Sequence, residues 1–270
     1  MNLKIIDVFI GKFIEEFNHH PLWRRQIQVG PHCFKASSFD RLLYLELHRI
    51  SLMGHQDKMV FQKYLKPGMN VVDAGANIGK YSVLFSEIVG PEGSVFAFEP
   101  EPITFKTLEN NIEVNGITNV KAFKHALGSE PGKMTLSCSL IHSGDNRLRR
   151  STNGNVFRKD IEVSVVTLDS ILENHRVDFI KIDVQGWEFE VLEGARRILD
   201  TNINTVIYFE FAPRLLNETG HQPIILLKLL KSHNFRIFQI NGEMETEIHN
   251  FERYMKTFSD NSFVSLIAHH

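Results

Sequence analysis

The run Val71-Val72-Asp73-Ala74-Gly75-Ala76-Asn77-Ile78-Gly79 sets an acid, two glycines and an amide at a spacing that can hold a charged ligand against the main chain. Glycine accepts positive φ and has no Cβ, so a turn built on Gly75 and Gly79 lets a ligand approach the backbone closely. The N–H groups that open the following helix favour an anionic group, here a carboxylate. Asp73, on the end of the preceding strand, can meet an ammonium. Asp73, Ala74, Gly75, Asn77 and Gly79 are therefore candidate ligand-binding positions. A dinucleotide loop uses the same physics at a different spacing, G-x-G-x-x-G. Here Asn77 and Lys80 stand where its second and third glycines belong.

A second signal, Phe96-Ala97-Phe98-Glu99-Pro100, places a carboxylate 20 residues after Gly79 at the end of another apolar run. An acceptor-only carboxylate at a strand tip can take both hydroxyls of a ribose, which nicotinamide dinucleotides and other adenosine ligands all require. Glu99 and Pro100 thus mark an adenosine site, with an NAD-dependent oxidoreductase as the alternative reading. The structural alternative for Glu99 is an acid at a helix start, a task that Glu101 can also fill. At a strand tip, its removal is expected to spare the fold.

These residues need a scaffold that brings strand ends together, and the chain after Lys66-Pro67-Gly68 supplies one. Apolar runs and helical patterns alternate in the βαβα order of a mostly parallel sheet with helices on both faces. The predicted strands are Asn70 to Ala74, Ser94 to Phe98, Val120 to Lys124, Phe179 to Asp183, Thr205 to Phe211, Phe235 to Ile240 and Phe263 to Ile267, giving a seven-stranded, Rossmann-like α/β sheet. A hairpin is inserted at about 133–165 in this domain, which runs from 61 to 270. Residues 1–60 read as a small helical and β extension. Within it Ile5, Ile6, Phe9, Ile10, Phe13, Ile14 and Phe17 recur at helical spacing, a face for docking on the domain or on a second copy of the chain. The stretch Gln26 to Ile50 reads as short β-prone pieces such as Leu42-Leu43-Tyr44-Leu45-Glu46-Leu47.

A length of 270 residues suits one α/β domain with a terminal appendage. With 43% hydrophobic and 23% charged residues the chain can bury a core. The formal net charge of −2 gives no global reason to expect nucleic acid or an anionic membrane as partner. Cys33 and Cys138 lack metal or disulfide spacing, which fits a reducing compartment. No signal-peptide pattern or membrane-length apolar run is present, so a cytoplasmic enzyme with a small-molecule acceptor is expected.

Taken together these motifs resemble the FkbM-type methyltransferases. Asp73 to Gly79 looks like the family's nucleotide loop and Phe98-Glu99-Pro100 like its ribose acid. His125-Ala126-Leu127-Gly128 is similar to the segment beside the adenine ring, which makes Ala126 and Leu127 cofactor contacts. Gly144-Asp145-Asn146, Val166-Thr167-Leu168-Asp169, Lys181-Ile182-Asp183-Val184 with Gly186 and Glu188, and Phe209-Glu210 extend the match. The resemblance implies a class I methyltransferase fold, S-adenosylmethionine as cofactor and O-methylation of a hydroxyl on a sugar or small metabolite. It also leaves open a non-catalytic cofactor binder. The departures fall on the acceptor side: Gly54-His55-Gln56-Asp57, Gln185, Trp187 and Arg147 stand where the family carries other residues.

A sulfonium is a good leaving group, so the cofactor supplies reactivity and the protein supplies alignment. A hydroxyl acceptor still benefits from a base near neutral pKa. The candidates are Asp183, at the carboxyl edge of the sheet and within reach of the cofactor; Glu188, on the first turn of a helix; and His142 and Asp145, in the insert. Each has a structural alternative, a helix cap for Asp183, a dipole partner for Glu188 and a solvated surface for the other two. No metal-ligand spacing is readable. The insert from about Ser139 to Asp160 carries Arg147, Arg149, Arg150, Arg158 and Lys159, suited to an anionic or glycosidic acceptor. It is expected to close over that acceptor and to leave cofactor affinity unaffected when shortened between Asn146 and Asn155.

Overall fold

The computed structural model describes residues 26–36, 41–53, 58–139, 142–149, 158–242, 244–259 and 262–270. The amphipathic segment from Ile5 to Phe17, the stretch Gly54 to Asp57 and Arg150 lie outside them. A short antiparallel hairpin opens the described chain, β1 (Ile27–Val29) and β2 (His32–Phe34), turning through Gly30 at φ 59°. It is followed by helices α1 (Arg41–Met53) and α2 (Lys58–Tyr64).

Helix α1 corrects the β reading of Leu42 to Leu47. That run alternates well enough for a strand, but the buried side chains are Leu43, Leu47 and Ile50, at the i, i+4, i+7 spacing of one helix face. They pack with Ile27, Val29 and Phe34 of the hairpin and with Ile78 and Val83, while Leu45 faces solvent. Glu46, on the same helix, pairs with Lys80.

The main domain alternates β3 (Asn70–Ala74), α3 (Lys80–Val89), β4 (Ser94–Phe98), α4 (Pro102–Val114) and β5 (Val120–Phe123). The insert then departs as β6 (Ala126–Leu127), β7 (Gly132–Ser139), β8 (Arg147–Arg149) and β9 (Arg158–Val166), a four-stranded sheet in the order β6-β9-β7-β8. The chain returns through α5 (Leu168–Ile171), β10 (Phe179–Ile182), α6 (Glu188–Glu193), α7 (Arg196–Thr201) and β11 (Val206–Phe211). It ends with α8 (Pro213–Glu218), α9 (Pro223–Ser232), β12 (Arg236–Asn241), β13 (Met244–Glu247), α10 (Phe251–Met255) and β14 (Val264–His269).

The main sheet has the order β13-β12-β14-β11-β10-β3-β4-β5. All seven strands read from the sequence are present, and the five from β5 to β11 are parallel. β14 runs antiparallel between β11 and β12. The eighth strand, β13, was not legible: Met-Glu-Thr-Glu is a short, charged edge, the composition that protects a sheet edge from further pairing. Its hairpin with β12 turns at Gly242, φ 64°.

Both faces of the parallel strands are covered, which is why they read as largely apolar runs, interrupted at Asp73, Lys181 and Glu210. Phe61 of α2 packs edge-on against Phe85, Phe179 and Tyr208 on one face. The other face buries Val72, Ala74, Phe96, Phe98, Ile180, Ile182 and Phe209 under Val191, Leu192, Leu226 and Leu230.

Adjacent strands β3 and β10 are the switch point, where successive connections leave for opposite sides of the sheet, and ligands of open α/β sheets bind outside such points. There Gly75, at φ 78°, lies so close to the next loop that a Cβ would come 2.0 Å from the Asp183 carbonyl oxygen. Gly75→Ala should therefore lower the melting temperature well beyond the roughly 1–3 kcal/mol of a left-handed alanine. Gly116→Ala, with φ 65° but nothing within 4 Å, should lose only that backbone cost. Equal losses in thermal unfolding of the two variants would remove the contact from its structural role.

Candidate active site

The turn between β3 and α3 is held from three directions. Gly75 and Ala76 donate their N–H groups to the Phe98 carbonyl at 3.1 and 2.9 Å, tying the turn to the end of β4. Asn77 adopts φ 51°, a conformation asparagine tolerates, and its N–H donates to Glu99 Oε2 at 3.0 Å. Its side-chain Nδ2 donates to Ser143 Oγ at 3.0 Å, linking the turn to the insert. Gly79, φ 88°, starts α3 where a Cβ would strike Leu108 at 2.6 Å.

Glu99 is 6% exposed, and its other oxygen accepts from the Glu101 N–H at 2.8 Å. Glu101, by contrast, caps α4 by accepting from Thr104 N at 2.6 Å. The helix-start role thus belongs to Glu101, and Glu99 points into the cleft. Burial pushes its carboxyl up to about 8, against the pull of the two N–H donors. Those two donors tie Glu99 to both loops, so it also helps to position them.

The cleft encloses about 630 Å³ and is lined by Gly75, Asn77, Phe98, Glu99, Pro100, His125, Ala126, Leu127, Leu136, Ser143, Gly144, Asn146, Leu148, Asp183, Val184 and Gln185. Seven of the proposed cofactor residues meet there: Gly75, Asn77, Glu99, Pro100, Ala126, Leu127 and Asp183. Asp73, Ala74 and Gly79 stand behind the wall. Asp73 is fully buried, accepts from Ser82 Oγ at 2.7 Å and lies 3.4 Å from Lys181 Nζ.

Lys181, itself 2% exposed, also lies 3.5 Å from Asp183 Oδ2 and its ammonium sits over the Tyr81 ring. Burial alone would lower its pKa, but Asp73 and Asp183 outweigh that and raise it. The ammonium fixes Asp183 at the end of β10, between the core and the cleft.

A second cavity, about 820 Å³, adjoins the first and shares Gly144 and Gln185 with it. Its other walls are His142, Asp145, Arg147, Glu210, Ala212, Arg214, Leu215, Ser262 and Phe263. The four acid–base candidates are thus divided between locations. His142 and Asp145 line this cavity and Asp183 lines the first. Glu188 lines neither: it is 2% exposed and accepts from Gly186 N at 3.1 Å and Val184 N at 3.4 Å, pinning the turn after β10. Burial pushes its carboxyl up to about 7.

Two arginines of the insert are engaged within it. Arg158 donates to Asp145 Oδ2 at 2.7 Å and to the Ser137 carbonyl at 2.7 Å, while Arg147 pairs with Asp145 and with Glu218 of α8 at 2.9 Å. Burial would raise the Asp145 carboxyl, but the hydrogen bonds from Arg147 and Arg158 hold it below its usual range. Asp145 is thereby kept ionised and clamped. Asn146 and Leu148, inside the span whose shortening is expected to spare cofactor affinity, line the first cleft, so the insert contributes walls on the cofactor side as well.

Residues that reasoning from the sequence did not select as site residues are Gln185, Glu210, Ser143, Asn146, His125 and the hydrophobic wall of Leu136 and Leu148. Glu210, Asn146 and His125 did fall within quoted motifs, and Gln185 stood out as a departure from the family. Their roles depend on which strand ends and insert strands become neighbours.

Residues 73–237 match the model of the Methyltransferase FkbM domain. The chain belongs to that family. Relatives include "Methyltransferase 1" of Beauveria bassiana, 30% identical over 46% of this chain and 57% of that protein. They include the "Hexuronic acid methyltransferase AglP" of Haloferax volcanii, 32% identical over 50% of this chain and 53% of that protein. A third is the "31-O-demethyl-FK506 methyltransferase FkbM" of Streptomyces tacrolimicus, 29% identical over 48% and 60%. The chain matches less than two thirds of the length of each. Among the described residues no helix is long and apolar enough to cross a membrane.

The cofactor of this methyltransferase family, S-adenosylmethionine, fits the first cleft on three observations. Gly75 lines the cleft with bare backbone, in a turn locked where a Cβ would strike the Asp183 carbonyl. Glu99 presents both carboxylate oxygens, each with a lone pair left after its backbone donor, at the rim of an apolar wall. His125 Nδ1, buried in that wall, has no hydrogen-bond partner among the described residues.

Glu99→Gln should weaken S-adenosylmethionine binding about tenfold or more, one hydrogen bond to a charged acceptor being worth about 1.5–3 kcal/mol. Calorimetry measures it, and unchanged affinity with an unchanged circular dichroism spectrum would refute the ribose role. A separate test uses Glu188, whose folded pKa is raised. Such a carboxyl contributes stability that is full below its unfolded value near 4.5 and is lost as pH rises through about 7. Glu188→Gln keeps an acceptor without the charge, so its melting temperature should gain on the parent between pH 5 and 8. A gap that stays constant across that range would contradict the burial of this charge.

Proposed function

We propose that this protein transfers a methyl group from S-adenosylmethionine to a hydroxyl of a sugar or other small, polar metabolite. The observation that carries this reading is the pairing of two cavities through one wall, Gly144 and Gln185. A cofactor held by Glu99 and the Gly75 turn would have a polar chamber beside it, and direct transfer needs donor and acceptor in line and in contact.

The chamber's chemistry supports a hydroxylated acceptor. His142, Arg147, Gln185, Glu210 and Arg214 offer donors and acceptors on several sides, with Phe263 and Leu215 as apolar surfaces. Arg214, on an exposed helix end, shares Glu218 with Arg147, and Arg147 shares Asp145 with Arg158, so two carboxylates face three guanidinium groups at the rim. That imbalance favours a carboxylate on the acceptor. The names of two relatives, a hexuronic acid methyltransferase and a 31-O-demethyl-FK506 methyltransferase, agree with a hydroxyl on a sugar acid or a larger alcohol.

The protein's own contribution is positional. The insert joins the cofactor turn through Ser143 and Asn77 and joins α8 through Arg147 and Glu218, so it roofs both cavities and limits water at their junction.

Incubation with radiolabelled S-adenosylmethionine and a panel of glucuronic acid, galacturonic acid, neutral hexoses and a macrolide alcohol should label a uronic acid hydroxyl. Arg214→Ala should reduce that labelling about tenfold or more while cofactor affinity holds, in keeping with the loss of one charged hydrogen-bond donor. Tight binding of NAD without binding of S-adenosylmethionine would overturn the reading.

A further inference from the structure

The second cavity holds a carboxyl placed unlike the other four acid–base candidates. Glu210, half-buried near the end of β11, accepts from Gln185 Nε2 at 3.3 Å, and the same amide donates to Asp183 Oδ1 at 3.0 Å. Gln185 is the side chain that lines both cavities, so the amide sits at their junction.

Its direction is over-determined by the backbone. Gln185 has φ 54°, uncommon for a residue with a side chain, and Gly186 follows at φ 98° against the Leu215 carbonyl, where a Cβ would come within 2.6 Å. Glu188 accepts the N–H groups of Val184 and Gly186 beneath this turn. A left-handed turn held from both sides is the kind of strain that persists where a side chain must be aimed.

We propose that Glu210 is the general base of the transfer, taking the proton of the acceptor hydroxyl, and that Gln185 is the positioning residue that aims its carboxylate between the two cavities. This rests on the proposed methyl transfer. In the step, the acceptor oxygen forms the new bond to the methyl carbon as the carbon–sulfur bond breaks and its electron pair stays on sulfur. The hydroxyl proton ends on a Glu210 oxygen. One positive charge on sulfur and one negative charge on Glu210 disappear together, so no net charge is left in the site.

The surroundings make that cancellation useful. From β10, Lys181 and Asp183 face Glu210; from the turn and α6, Gln185 and Glu188; from α8, Arg214; from the insert, His142, Asp145 and Arg147. Its register partner on β14 is the uncharged Ser265. Asp145 is held by Arg147 and Arg158, and Glu218 by Arg147 and Arg214, so these arginines have carboxylate partners other than Glu210. Burial first, then the charges of Asp183 and Glu188, push the Glu210 carboxyl up to about 8. A sulfonium beside it favours the carboxylate, whereas the neutral thioether of S-adenosylhomocysteine does not.

The test needs no acceptor. Binding of S-adenosylmethionine and of S-adenosylhomocysteine is measured by calorimetry over a pH series, and in detail at pH 7.5, in buffers of different ionisation enthalpy. The parent protein should release about half a proton or more with the sulfonium, since a carboxyl titrating near 8 is mostly protonated there, and clearly less with the thioether. Glu210→Gln should bind S-adenosylhomocysteine as the parent does and lose the difference in proton release. Glu210→Asp should keep the difference with a shifted pH midpoint. A difference that survives in Glu210→Gln, or an unmoved midpoint in Glu210→Asp, assigns the proton to another group such as His142 and overturns the proposal. Failure of the parent protein to bind either ligand would instead refute the cofactor reading beneath it.

Discussion

The approach of Gly75 to the Asp183 carbonyl is the contact on which the rest of the site depends. It joins the two loops that leave adjacent parallel strands, and only a residue without a Cβ permits it. With the loops fixed there, Asn77 reaches Glu99 on one side and Gln185 reaches Glu210 on the other. Beneath them Lys181 bridges Asp73 and Asp183, so the strand ends are joined by charge as well as by the sheet ladder. A buried ion pair of this kind is weak evidence for net stability, and its value lies in fixing where Asp183 stands.

Burial of carboxyls recurs around this centre. Glu99, Glu188 and Glu210 are all pushed up from the ordinary carboxylate range, chiefly by desolvation. Glu188 accepts two backbone N–H groups on Oε1, Glu99 accepts one on each oxygen at the edge of the cleft, and among the described residues Glu210 accepts from the Gln185 amide alone. A cationic cofactor entering such a site meets acidic groups that its charge can ionise, which favours the sulfonium over its neutral product.

Much of this was legible in the residues. The acid, glycine and amide spacing from Asp73 to Gly79 and the carboxylate of Glu99 name an adenosine site because their physics is local: a turn, a strand tip and a helix start. The strands β3, β4 and β10 were readable because both their faces are buried. Helix α1 was misread since Leu42 to Leu47 satisfies both periods, and only its packing against Ile78 and Val83 decides between them. β13 exists as the pairing partner of β12 and has no apolar pattern of its own. Gln185 and Glu210 were quoted without a role because their importance lies in the approach of a loop to a strand end 25 residues away. Asp145 drew attention as an acid in a polar insert, but the fold surrounds it with Arg147 and Arg158.

The central claim is that one cleft at the β3–β10 switch point holds S-adenosylmethionine with its reactive methyl turned toward the chamber of Glu210. A crystal structure of the protein soaked with S-adenosylhomocysteine tests it most directly. The account predicts the ribose hydroxyls within hydrogen-bond distance of both Glu99 oxygens, the adenine against Leu127 and the sulfur facing the wall of Gly144 and Gln185. Ligand density elsewhere, or a sulfur turned away from that wall, would contradict it.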